Sequence, residues 1–355
     1  QRSKKQTLPQ VYTVDMREEL KAGNRSIISE TLHEMIQDRL DKKQQIMLFL
    51  NRRGYAGFVS CRSCGYVAKC PHCDVSLTSH RGGKLVCHYC GYEESEYYLC
   101  PECGSKHFGG FRAGTQQIEE LVRAEFPQAR ILRMDMDTTK DKDGHEKILE
   151  VFANEEADIL IGTQMIVKGH DFPNVTLVGI LAADMSLYAD DYRAGERTFQ
   201  LLAQAAGRAG RGREKGEVVI QTYSPEHYAI ETAAAQNYEA FFEEEIAYRQ
   251  LMGYPPVEQL LAILISGEDE TLLETACAYL KTYAERINHT NVQIIGPTSP
   301  YVGKVNDVYR RVIYLKHAKY EVLTQMKDKM EQYVEINSGF HKLRIQYDFN
   351  PMNIF

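Results

Sequence analysis

Eight of the nine cysteines fall in one stretch as four C-x-x-C pairs: Cys61 and Cys64, Cys70 and Cys73, Cys87 and Cys90, Cys100 and Cys103. A C-x-x-C pair folds into a tight knuckle that offers two thiolates to one ion, and two knuckles complete a closed, tetrahedral, four-thiolate zinc site. Eight thiolates therefore predict two zinc ions with structural roles, since neither keeps an open coordination position. Spacing leaves open which knuckles share an ion. The 13 residues between Cys73 and Cys87 suit a ribbon hairpin, which would let the two inner pairs share one ion and leave the outer pairs the other. His72, His80, His88 and His107 lie close by in sequence, but eight thiolates suffice, so these read as surface or nucleic-acid-facing groups. Clustered C-x-x-C pairs without a secretion signal favour metal over disulfides, and hence a reducing cytosol. Cys277 stands apart and reads as a small buried apolar residue of a helix.

A second constellation lies downstream. From Glu196 to Gly207 apolar residues recur at helical spacing through Phe199, Leu202 and Ala206, and the segment then delivers Gln204, Arg208 and Arg211 at intervals of four and three. That spacing sets them along one helical face or just past its end. Guanidinium groups stay charged and bond phosphate oxygens in a bidentate manner, the chemistry of an arginine finger. Taken alone, an RAGRGR run is a solvated basic loop. About 40 residues upstream, however, the chain reads GTQMIVKGHDFPNV from Gly162, where the apolar run Asp158 to Ile161 stops.

The pair GTQMxxKGHDFPxV and QxAGRAGRG resembles motifs V and VI of superfamily 2 helicases, and its wording is close to the PriA family of replication-restart DNA helicases (primosomal protein N-prime). FLNRRGYA, from Phe49 to Ala56, is similar to motif IV of that family. The resemblance implies that Arg208 and Arg211 face the γ-phosphate, Arg211 as the finger, with Gln204 positioning. It implies that Gly169 and Asp171 couple the nucleotide to the DNA track and that Thr163 and Gln164 touch the DNA backbone, with Lys168 assigned to either. Arg52 and Arg53, in the turn Asn51-Arg52-Arg53-Gly54, are candidates for the phosphate backbone of DNA. Thr115, in the Gly114-Thr115 step before a helix, could present a helix N-terminus to a DNA phosphate or simply cap that helix. The family also implies the nested zinc arrangement, inner pairs on one ion and outer pairs on the other.

The elements that must carry these residues are legible in outline. VYTVDM reads as a strand, Ser29 to Leu40 as a helix with Leu32, Met35, Ile36 and Leu40 on one side, and Ile46 to Leu50 as a buried strand. Past the cysteines come a helix from Thr115 to Phe126, a strand ARILRMD, a helix from Gly144 to Phe152, buried strands at Asp158 to Ile161 and Val175 to Ala182, and a closing strand GEVVIQTY. Strands alternating with helices imply a parallel sheet covered on both faces. Functional groups of such sheets gather past the strand C-termini. The expected architecture is a RecA-like helicase lobe 2, interrupted by a two-zinc Cys-rich module and followed by a small α+β domain. In numbers it runs 1–60 and 105–225 for the lobe, 61–104 for the module, 226–256 for a helical connector ending at Pro255-Pro256, and 257–355 for the terminal domain. The last shows a βαββαβ order, which suggests a ferredoxin-like fold.

A 355-residue chain can hold two or three sizeable cores. With a net charge of −7 it is no general polyanion binder, so nucleic acid must meet local basic surface such as Arg52-Arg53, Arg208 to Lys215 or Arg310-Arg311. No run of about 18 apolar residues is present, so no membrane span is expected. The start, QRSKKQTLPQ, lacks a leader's apolar core, and its first residue is Gln, so a fragment is expected.

A superfamily 2 motor needs a phosphate loop with Lys and acidic residues for Mg²⁺. Neither GxxxxGK[ST] nor an acidic box is found here. The resemblance thus covers essentially the whole chain but half of the family's protein. It implies ATP and Mg²⁺ bound mainly by a lobe outside this chain, and a fragment that does not hydrolyse ATP alone. It further implies fork and single-stranded DNA, the tail of the single-stranded DNA-binding protein and helicase-loading proteins as partners. A monomer at the nucleoid of a bacterial cytoplasm is the expected form. The alternatives are a non-enzymatic zinc-ribbon nucleic-acid-binding or primosome scaffold module, and another superfamily 2 repair translocase.

Overall fold

The computed structural model describes residues 8–50, 59–73, 75–80, 83–88, 90–110, 114–135, 138, 144–163, 166, 172–188, 191–212 and 214–352. The chain opens with β1 (Gln10–Asp15), α1 (Met16–Lys21), α2 (Glu30–Asp41) and β2 (Gln45–Leu50). The Cys-rich insert contributes β3 (Val59–Cys61), β4 (Thr78–His80), β5 (Lys84–Val86), β6 (Glu93–Ser95) and β7 (Phe108–Gly110). Then follow α3 (Thr115–Glu125), β8 (Ile131–Met134), α4 (Gly144–Ala153), β9 (Ile159–Gly162), β10 (Val175–Leu181), α5 (Asp184–Leu187), α6 (Ala194–Ala206) and β11 (Glu217–Thr222). After α7 (Tyr228–Ala234) and α8 (Tyr238–Met252) come β12 (Gln259–Gly267), α9 (Glu270–Ile287), β13 (Gln293–Thr298), β14 (Lys304–Val305), β15 (Val308–His317), α10 (Tyr320–Ile336) and β16 (Arg344–Phe349).

Two compact units result. The first comprises residues 1–68, 97–189 and 193–242; the second, residues 69–96, 190–192 and 243–355. In the first, six strands pair in the order β1-β11-β10-β2-β9-β8, and every pairing is parallel. A sheet covered on both faces needs apolar side chains at consecutive positions, and β2 is buried along its whole length. Ile46, Leu48 and Leu50 join Leu32 and Ile36 of α2 and Ile118 and Val122 of α3 in one core. Met47 and Phe49 join Phe152 of α4, Phe199 and Leu202 of α6, and Ile230 of α7 in the other. This is the expected covered parallel sheet, with the cysteine insert leaving it after β2.

Local signals account for the helix that backs β2 and β10. Ser29 caps α2, its hydroxyl accepting the Leu32 N–H at 3.2 Å. Thr115 departs from the sequence expectation, because the cap of α3 is Gly114 and Thr115 is the first helical residue. The Gly114 N–H is taken by the Gln117 side chain, while the buried Thr115 hydroxyl donates to Asp135 Oδ2 at 2.6 Å.

In the second unit β13-β15-β12-β16 form an antiparallel sheet, the strand order that a βαββαβ chain makes in a ferredoxin-like domain. Its core gathers Leu261, Ile263, Leu280, Ile313, Leu323 and Met330. Cys277 of α9 belongs to that core, and burial pushes its thiol up to about 12, so it behaves as the apolar filler expected. The antiparallel meander β4-β5-β6 belongs to the same unit.

Candidate functional site

The four knuckles share one construction. The first cysteine of each donates its N–H to the carbonyl five residues on, at 2.8 Å for Cys61 to Tyr66, Cys70 to Val75 and Cys87 to Tyr92, and 2.9 Å for Cys100 to Ser105. Gly65, Gly91 and Gly104 then return an N–H to the first cysteine's carbonyl, with φ of +81°, +78° and +68°. Only glycine adopts that left-handed backbone without strain, so the operative pattern is C-x-x-C-G, a signal readable in the sequence beside the bare C-x-x-C. Asp74 holds the corresponding place in the remaining knuckle and lies outside the described residues.

The knuckles assemble in two sets. Cys61, Cys64, Cys100 and Cys103 bring their sulfurs within 4.8 Å of one another, and so do Cys70, Cys73, Cys87 and Cys90. Sγ separations of 3.6 Å for Cys61 to Cys103 and Cys64 to Cys100, and 3.5 Å for Cys70 to Cys90, bear on the identity of the ion. Tetrahedral zinc with sulfurs at about 2.3 Å spaces them about 3.8 Å apart, so the sets fit Zn²⁺ and are too open for disulfides. Without a cation such crowding is costly: burial pushes the Cys64 thiol up to about 12, and neighbouring sulfurs hold Cys73 and Cys87 above the ordinary thiol range. A divalent cation would replace the protons; saturated by four thiolates, it would brace the fold rather than activate water.

Each set is seated on its own unit. In the first, Arg17 pairs with Asp15 at 2.8 Å and Glu226 at 3.0 Å and reaches the Cys64 carbonyl at 3.4 Å, while the backbone at Gly65 lies against the Tyr223 carbonyl. The Ser63 and Ser105 hydroxyls, 2.7 Å apart, join the two outer knuckles. In the second, His88 is only 1% exposed, so it is not the surface group its sequence context suggested. Its Nδ1 bonds the Ser299 carbonyl at 3.0 Å and its Nε2 meets His80 Nε2 at 3.0 Å. A carbonyl only accepts, so Nδ1 carries the proton and His80 donates to Nε2. Burial keeps His88 below the usual imidazole range.

The residues of the motor-like motifs separate across the sheet. Thr163 follows the last residue of β9, on the same edge as the Asp135 and Thr115 pair and Asp184 past β10. Asp184 is fully buried; it accepts the Thr222 hydroxyl and the Tyr223 N–H, each at 2.9 Å, and burial raises its pKa. From there α6 runs back, its start tied by the Ser186 and Thr198 hydroxyls at 2.6 Å, and ends at Ala206. Arg208 and Arg211 therefore sit just past the helix, at the edge where β10 begins. The Gly210 N–H donates to the carbonyl of Val175, the first residue of β10, at 3.0 Å.

Both arginines are half-buried and Gln204, on the last turn of α6, is exposed. Arg211 Nε donates to the Gly207 carbonyl at 2.8 Å, which ties its guanidinium to the helix end. Thr163 and Thr115 thus lie past the strand C-termini, and the two arginines lie just past their helix at the opposite end of the strands, because that helix returns across the sheet. Arg52, Arg53, Gln164, Lys168, Gly169 and Asp171 lie outside the described residues. Arg311, expected as basic surface, is neutralised by Glu274 at 2.7 Å and Glu270 at 3.0 Å.

A covered parallel sheet bearing these motifs defines the class: residues 109–213 match the helicase conserved C-terminal domain. Residues 70–94 match the PriA DNA helicase Cys-rich region (CRR) domain, and 250–352 the Primosomal protein N C-terminal domain. Among curated proteins the chain is similar to the replication restart protein PriA. The Bacillus subtilis (strain 168) protein is 44% identical over 345 residues, 97% of this chain and 43% of that one. The Synechocystis protein is 43% identical over 325 residues (90% and 39%), and the Rickettsia conorii protein 36% identical over 358 residues (100% and 54%). The chain spans about half the length of the curated relatives it matches. Among the described residues no helix is long and apolar enough to cross a membrane.

Proposed function

We propose that this chain is the C-terminal half of an ATP-dependent DNA helicase that moves 3′ to 5′, recognises stalled or abandoned replication forks and restarts replication by assembling a primosome. In this reading ATP and Mg²⁺ are held mainly by a partner lobe encoded before Gln1, and this chain closes over them without hydrolysing ATP by itself. Arg208 and Arg211 meet the γ-phosphate, with Arg211 as the finger and Gln204 orienting it. Gly169 and Asp171 link the nucleotide to the DNA track, with Lys168 serving either side. Thr163, Gln164, Arg52, Arg53 and Thr115 form the track. Thr115 acts there through the end of α3, since its hydroxyl is committed to Asp135. The protein works as a monomer at the bacterial nucleoid, with the single-stranded DNA-binding protein's tail and helicase-loading proteins as partners.

The observation that carries this reading is the separation of the two groups of residues. The arginines and Thr163 lie at opposite ends of the strands of one sheet. A motor needs such a division, because hydrolysis at one place must move a strand at another. A phosphate-sensing arginine is worth roughly a thousandfold or more in turnover. Arg211→Ala in the full-length protein should therefore abolish DNA-stimulated ATP hydrolysis and leave fork binding nearly unchanged; normal turnover in that variant would end the assignment.

A further inference from the structure

The inner set of four cysteines has neighbours that its own zinc ribbon does not supply. Lys316 of β15 is 6% exposed and Tyr254, just past α8, is 1% exposed. The Tyr254 hydroxyl donates to the Cys73 carbonyl at 3.1 Å, and the Lys316 ammonium lies 3.8 Å from the centre of the Tyr254 ring while donating to the Met252 carbonyl at 3.1 Å. Tyr254 is also stacked on the Tyr192 ring, with centroids 4.9 Å apart. Two more contacts tie the ribbon to the strand and loop that follow α9: His88 to the Ser299 carbonyl at 3.0 Å, and the backbone of Gly91 against the Thr298 hydroxyl.

Charge gives these contacts a purpose. Zn²⁺ with four thiolates carries a net charge of −2, and a buried anion needs a nearby cation or hydrogen-bond donors. A buried ammonium has the opposite need: desolvation weighs against its charge, and among the groups that oppose this is Cys73, followed by Glu258. Lys316 has no carboxylate ion pair among the described residues, in contrast to Arg249 nearby, which is paired with Glu245 at 2.6 Å. Outer-shell groups of this kind tune how firmly a metal is held.

We propose that the C-terminal domain completes the inner zinc site from outside: Lys316 is the buried counter-cation of the tetrathiolate and Tyr254 the strut that fixes Cys73, so this ion is retained by that domain while the outer ion is not. The proposal rests on the assignment of both four-cysteine sets to zinc, and the test separates the two.

Zinc is first counted in the purified 355-residue chain, and EDTA is then added with a metallochromic dye to time release. Cysteine alkylation followed by mass spectrometry assigns each phase to a set. Two ions per chain are expected; fewer than two overturns the zinc assignment itself. In Lys316→Met one ion should leave at least about tenfold faster, with Cys70, Cys73, Cys87 and Cys90 alkylated first and the outer set unchanged. Lys316→Arg should restore slow release. Tyr254→Phe, which keeps the ring and removes one hydroxyl, should speed the same phase and decides the matter if Lys316→Met fails to fold. Release unchanged in both variants, or accelerated equally at both sets, overturns the proposal.

Discussion

The Gly210 N–H meets the Val175 carbonyl at 3.0 Å, and this one bond fastens the loop bearing Arg208 and Arg211 to the start of a central strand. Gly210 has φ of +67°, and a Cβ there would lie 2.2 Å from the Gly216 nitrogen. Gly210→Ala should cost about 1–3 kcal/mol from backbone strain alone, and more from the overlap. A thermal melt of the chain measures it; an unchanged midpoint would show that the loop is not built this tightly.

Metal retention should depend on acid in one direction. Thiolates must lose their protons to bind, so lowering pH releases both ions and raising it holds them. Since burial already lifts the Cys64 thiol to about 12, protons compete strongly there once an ion has left. Cys61→Ser should cost one zinc per chain and Cys87→Ser the other, with the double variant holding none; elemental analysis checks the count.

Asp184 and Asp158 should give stability slopes of opposite sign. Burial raises Asp184, so its contribution is present below the unfolded value of about 3.9 and is lost as pH rises through the folded value. In Asp184→Asn that loss disappears, and the stability gap to the parent should narrow as pH rises. Denaturant melts across the acid range decide this, and a gap that widens with pH would refute it.

For Asp158 burial acts upward, but the Arg130 side chain and backbone bonds outweigh it and hold the group low. Arg130 Nη2 lies 2.6 Å from Asp158 Oδ1, and the Arg130 N–H 2.8 Å from Oδ2. Here the contribution is present above the unfolded value and is lost as pH falls through the folded one. Asp158→Asn should cost about 1 kcal/mol at neutral pH, as a partly exposed pair does, and nothing in strong acid. Equal cost at both pH values would show that the pair is not what is lost.

Much of this molecule was open to reading in one dimension. The parallel sheet followed from β2 and β10, whose largely apolar runs are buried at every position and leave no face for water. The antiparallel domain followed from its βαββαβ order. Two four-thiolate sets followed from knuckle spacing, and the glycines after three of the second cysteines, Gly65, Gly91 and Gly104, carry the same signal. Where expectation failed, at His88 and the capping hydroxyl of Thr115, the partner lies 211 and 20 residues away.

By itself the sequence determined what depends on neighbours along the chain: the helical and strand periodicities, the knuckles, and the motif wording on which the family resemblance rests. Those features are set by backbone stereochemistry and ligand spacing, which act over a few residues. Tertiary structure alone decided that α6 returns its arginines to the edge away from Thr163, that Lys316 lies over Tyr254 behind Cys73, and that His88 is inside. Each of these depends on where a crossover or a distant strand brings the chain back, and burial and pairing energies are fixed only once that return is made.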